Sequence, residues 1–177
     1  MSDPSWARVD SNFAPLVVFA QRADVSIDID AWNAHATRFF ATRIGFAELP
    51  PNGSVSAAAR DRHDRGAGAD DGGAVTARFV VAPEGDTPGI RRAFVRLRDD
   101  QDLAPAEAAD ARVGATGLAL LARRCSAVWL VERTGSGDRI ALRLATVLAS
   151  ILLGPILDTT GGELFGLKTA RQKFEKD

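Results

Sequence analysis

Two unbroken apolar runs stand out along the chain. Leu16-Val17-Val18-Phe19-Ala20 ends at Gln21-Arg22, and Ala127-Val128-Trp129-Leu130-Val131 follows Cys125-Ser126. Runs with no polar position predict strands covered on both faces. The second run passes through Glu132-Arg133 and the turn Thr134-Gly135-Ser136-Gly137-Asp138 into a predicted helix over 139–153. Asp138 is placed to accept the free N–H groups of its first turn. Arg139 and Arg143 are the only charges in that helix. Beyond them it is apolar on nearly every face, so it needs cover on more than one side.

The intervening patterns are more mixed. Residues 24–30 alternate Asp or Ser with β-branched residues, which fits either a strand hairpinned to the first or an extended lead-in. Asp30 then predicts an N-cap for a helix over 31–43, with Trp32, Ala36, Phe39 and Phe40 on one stripe and Gly45 as its stop. A brief strand can continue over 46–49. Residues 50–73 are dominated by Ala, Gly, Asp and Arg, a composition expected to form a disordered loop. Residues 74–82 read as a strand with Val75, Ala77, Phe79 and Val81 on one face and Thr76, Arg78 and Val80 on the other. The turn-rich segment 83–89 leads to a second strand over 91–98, with Ala93, Val95 and Leu97 inward and Arg92, Phe94, Arg96 and Arg98 outward. Together they predict a hairpin. A helix is expected from about Ala104, with Pro105 in its first turn, to Arg124, weakened or kinked by Gly114 and Gly117. A short helix with a charged end is expected within 161–174.

The order strand, helix, strand, strand, helix, strand, followed by further helices, predicts an α+β fold of the ferredoxin-like split βαβ (βαββαβ) type. Its helices would lie on one face of a mostly antiparallel sheet. The expectation is one domain over 1–177, with an N-terminal arm over 1–13 anchored by Trp6 and Phe13.

Composition adds boundaries to this picture. Hydrophobic residues at 46% and charged residues at 25% are those of an ordinary soluble globular chain. A net charge of −1 provides no whole-protein field for nucleic acid or an anionic membrane. A single cysteine excludes an intramolecular disulfide. The charge-free run 144–157 is shorter than the about 20 residues of a membrane span, and Gly154-Pro155 interrupts it, so a buried core helix is the better reading. No basic n-region with an apolar core precedes the body, and a cytoplasmic location is expected.

Candidate chemistry is sparse. Asp24, Asp28 and Asp30 lack the glycine and distal Glu of a calcium loop, so no metal site is expected. His63 lies within the expected loop, and His35 has no assignable partner, so it reads as a rim residue of the core. Cys125 reads as a small packed hydrophobe. The turn before residue 139 is a natural place for an anion, attracted by Arg133 and Arg139 and repelled by Asp138. A tight connection capped by Asp138 is the favoured reading. No catalytic residue, cofactor or metal motif emerges. The most unusual surface is the outward sheet face with Arg78, Phe94, Arg96 and Arg98, joined by Trp129 from a neighbouring strand. Cover by the long loop or the C-terminal helix and a protein interface fit this pattern equally well, and both better than single-stranded nucleic acid, given the acidic balance and the absence of an RNP1 consensus. The expected function is a non-catalytic protein-binding or regulatory domain acting through self-association or another protein. The alternative is a small-molecule-binding protein or small enzyme that uses those arginines as a pocket for an acidic ligand.

Overall fold

A computed structural model describes residues 14–48, 54–56 and 75–175. The expected arm over 1–13, with Trp6 and Phe13, lies outside the described residues, as do His63 and most of the expected loop 50–73. The described residues form a seven-stranded antiparallel sheet with five helices, a mixed α+β arrangement. The strands are β1 (Leu16–Ala20), β3 (Thr42–Glu48), β5 (Val75–Pro83), β6 (Gly89–Leu97), β7 (Ala127–Val131), β8 (Ile156–Asp158) and β9 (Glu163–Phe165). A separate two-stranded sheet pairs β2 (Asp24–Ser26) with β4 (Ser54–Ser56). The helices are α1 (Ile29–Phe40), α2 (Asp100–Arg112), α3 (Leu118–Arg124), α4 (Arg139–Leu152) and α5 (Leu167–Glu175).

The order across the sheet is β3-β5-β6-β7-β1-β8-β9. It does not confirm the ferredoxin-like arrangement. A split βαβ unit would place the first strand between the hairpin's second strand and the last strand. Here β7 stands between β6 and β1, and β1 pairs antiparallel with β7 on one side and β8 on the other.

Both faces of the central strands are covered, which corrects the expectation of helices on one face. Leu16, Val18 and Ala20 of β1 and Ala127, Trp129 and Val131 of β7 pack with residues of α1, α4 and α5 in the larger core. Val17, Phe19, Val128 and Leu130 point the other way, into a second cluster with Leu103, Ala106 and Ala109 of α2 and Ala122 of α3. Burial on both sides is why β1 and β7 have no polar position. The helix α4 is covered by the sheet, by α1 and by α5, so its residues from Leu144 to Ala149 are all buried. Among the described residues, no helix is long and apolar enough to cross a membrane.

Several boundaries shift for local physical reasons. The N-cap of α1 is Asp28, whose carboxylate accepts from Ala31 N at 3.0 Å, two residues earlier than Asp30. The helix ends at Ala41 in the left-handed region (φ 47°), and Gly45 sits within β3. Phe39, assigned above to the buried stripe, is exposed, while Trp32, Ala36 and Phe40 are buried. The single helix expected up to Arg124 is two, α2 and α3. Gly114, Ala115 and Gly117 all have positive φ between them, and the buried carboxylate of Asp110 gathers Thr116 N, Thr116 Oγ1, Gly117 N and Ala119 N. The Thr116 hydroxyl, then those backbone N–H groups, hold the Asp110 carboxyl below its ordinary pKa against the opposing effect of burial. β8 and β9 are a hairpin that the sequence pattern concealed. Asp158 Oδ1 accepts from Thr160 N at 2.9 Å and Gly161 N at 3.1 Å, an Asx turn that reverses the chain.

Candidate binding face

The second sheet face divides into two halves. α2 and α3 lie over the β1, β7, β8 and β9 end, closing the second core cluster. Toward β6, β5 and β3 no described helix contributes to that cluster, and the strands present Phe94, Arg92 and Ile90 of β6 and Val80 and Arg78 of β5. Arg78 stands opposite Arg92 in register, and Val80 stands opposite Ile90. Gly45 continues the row across β3 opposite Val80. Ile90 is 48% exposed, and Phe94 is half-buried at the edge of the α2–α3 cluster. The Arg92 guanidinium lies 5.8 Å from the Phe94 ring centroid and makes a fork to Glu132 at 2.9 and 2.6 Å. That fork outweighs burial and holds the Glu132 carboxyl below its ordinary range.

The structure therefore separates the five residues assigned to this face. Arg78 and Phe94 lie on it. Arg96 is on the same face of β6 but is drawn to its end, where it forks onto the buried carboxylate of Asp102 at 2.7 and 2.6 Å. Asp102 also accepts from Asp99 N at 2.9 Å, while Asp99 accepts from Asp102 N at 3.1 Å, a reciprocal cap that opens α2. Pro105 is therefore inside the helix, not in its first turn. Arg96 is a clamp between strand and helix. Arg98 lies beyond β6 and donates from Nε to Cys125 O at 2.8 Å. Trp129 is a correction: it is fully buried on the opposite face, in register with Val95 and Val18, and its ring lies 6.1 Å from that of Trp32. The sequence alternation sets Val80 and Arg92 outward but does not assign them to the site, and Ile90 is missed because the strand is expected to begin at 91, one residue past it.

Among the described residues the arginines are spread over separate contacts. Two serve the α2 cap and the Cys125 carbonyl, and two lie across neighbouring strands of a sheet. Asp102→Asn is expected to lower stability by about 3 kcal/mol, because it leaves the partly buried Arg96 with only the longer 3.8 Å pairing to Asp99 and loosens the α2 cap. Urea unfolding measures it, and a loss below about 1 kcal/mol would show that water replaces the clamp.

Three further titratable groups lie elsewhere in the fold. His35 Nε2 lies 2.8 Å from Ser150 Oγ, a pair 115 residues apart in sequence joining α1 to α4. Burial lowers the His35 pKa, and its ring packs 4.8 Å from Phe39. Cys125 is buried, with Sγ 3.3 Å from Leu121 O. Burial pushes its thiol up to about 11 despite the nearby charge of Arg98, so it stays protonated at neutral pH. Asp138 caps α4 through Ala141 N at 3.0 Å, takes Thr134 N at 2.9 Å, and accepts the Arg91 fork at 2.7 and 2.8 Å. Burial pushes its pKa upward, but these hydrogen bonds outweigh it and hold the carboxyl at about 2. Among the described residues no group of three or more His, Cys, Asp or Glu side chains is placed to hold a metal ion.

No family model matches the chain, and no curated protein or solved structure matches it either.

Proposed function

We propose that this protein is a non-catalytic binding domain that engages a second copy of itself or another protein through the outer half of its second sheet face. One observation carries the reading: Val80 and Ile90, bracketed by Arg78 and Arg92, lie on the part of that face where no described helix contributes to the core, with Phe94 at its border against the α2–α3 cluster. Apolar side chains grouped on a surface mark interaction sites more often than scattered ones do. Aromatic and arginine residues are enriched at the centres of protein interfaces. The burial of α4 from Leu144 to Ala149 removes that stretch as a rival surface, which favours the sheet as the place where a partner gains most.

The alternative, an acidic small molecule held by arginines, has less support, because Arg96 and Arg98 are engaged with Asp102 and Cys125 O. Native mass spectrometry of the gently purified protein separates the two readings. The expected result is a homo-oligomer or a complex with another chain, dissociated by Ile90→Asp with thermal stability unchanged within about 0.5 kcal/mol. A monomer carrying a small extra mass overturns the proposal in favour of a ligand-binding protein.

A further inference from the structure

We infer that a cavity of about 190 Å³ beside the first turn of α4 binds the phosphate or carboxylate group of a small ligand, with Arg139 as its main contact. Three cations line it, Arg133, Arg139 and Lys173, together with the carboxylates of Asp138 and Asp158. Each of the others already has its counter-charge. Asp138 is held by Arg91. Arg133 is buried and uses its three nitrogens on Asp158 Oδ1 at 2.7 Å, Ser136 O at 2.7 Å and Gly135 O at 3.3 Å, which pins the turn before α4. Lys173 Nζ meets Glu163 at 2.8 Å.

Arg139 is the exception. It forms no ion pair with a described carboxylate; its hydrogen bond is a 3.2 Å contact to Phe174 O, and its buried Nε has no partner. One turn along α4, Arg143 repeats the condition. Its Nε is buried without a partner, its Nη1 lies 3.3 Å from Thr42 Oγ1, and its guanidinium stands 4.6 Å from the centroid of the Phe174 ring. Burial, and after it the positive charge of Arg139, lower the Arg143 pKa, while Asp86 and Glu175 act more weakly in the opposite direction. Two partly desolvated guanidinium groups four residues apart repel each other and lack close counter-charge, an unfavourable arrangement that an anion relieves. The planar donor fork of arginine matches the paired oxygens of a carboxylate or phosphate. The helix N-terminus is not the source of the site, because the Asp138 carboxylate already caps it. The same cavity wall carries Ser136, from the turn that Arg133 holds rigid.

The test is isothermal titration calorimetry of the full chain with inorganic phosphate and, separately, with acetate, at constant ionic strength. Saturable one-site binding of at least one anion is expected, and the one that binds identifies the chemistry. Arg139→Gln should weaken it by about tenfold or more, the loss of a charge-assisted contact. Arg123→Gln, at an exposed arginine paired with Glu107 on the α2–α3 surface, should leave it unchanged. No saturable binding of either anion, or equal affinity in Arg139→Gln and the parent, overturns the inference. If Arg139→Gln fails to give a cooperative melt, Lys173→Gln takes its place, with affinity expected to fall by about threefold or more and an unchanged affinity counting against the site.

Discussion

Leu148→Ala is expected to lower stability by about 2–5 kcal/mol, the range for a leucine whose whole side chain is removed from a packed core. Leu148 is fully buried in the larger core cluster, on the one helix that the sheet, α1 and α5 enclose together. Its neighbours come from several elements, and β1 and β7 are held by pairing on both edges. Such surroundings collapse poorly around a lost side chain, which places the expected loss in the upper half of the range. Urea unfolding followed by circular dichroism measures it. A loss below about 1 kcal/mol would mean that α4 is loosely packed and is not the centre of the fold.

Gly154→Ala is the second large effect, for a different reason. A Cβ at Gly154 would lie 1.9 Å from the Phe19 carbonyl oxygen, 2.7 Å from its carbon and 3.3 Å from Cys125 Sγ. The obstacle is the backbone of β1, which cannot rotate away like a side chain. Hydrogen bonds on both sides of it, Phe19 N to Pro155 O at 3.0 Å and Gln21 N to Leu152 O at 3.1 Å, hold the end of α4 against that strand. Relieving the clash means separating them, at an expected cost of about 3 kcal/mol or more. The comparison is Gly137→Ala, where no described atom lies within 4 Å of the added carbon and a change within about 0.5 kcal/mol is expected. Equal melting temperatures for the two variants would refute the close-approach argument. Glycine is needed at 154 for space, whereas the left-handed turn that ends α4 is taken by Leu153 at φ 59°.

The central strands, the outer hairpin and the buried helix were legible because their patterns record a single environment. An apolar run such as 127–131 must be covered on both faces, and the alternation at Ala93, Phe94 and Val95 separates a core side from a more open one. The same uniformity hides other facts. In a strand apolar at every position, nothing marks which side chain faces which layer, so Trp129 was placed with Phe94, when its register with Val95 sets it on the opposite face. β8 and β9, three residues each, carry too short a pattern to distinguish them from the apolar tail of α4 and the lead-in to α5. Arg96 read as an outward charge because its partner, Asp102, becomes adjacent only once Asp99 fixes where α2 begins.

By itself the sequence determined which segments must be interior, which turn precedes α4, and that a substantial core forms without a disulfide. These follow from local hydrophobicity, turn residues and composition, each readable within a few positions. The tertiary structure decided the sheet order, the covering of its second face by α2 and α3, and the meeting of Arg133, Arg139 and Lys173 around one cavity as α5 packs on α4. Those outcomes depend on which strand edges pair and which helix reaches which face. Such choices are settled by the joint packing of distant residues, and no local pattern encodes them.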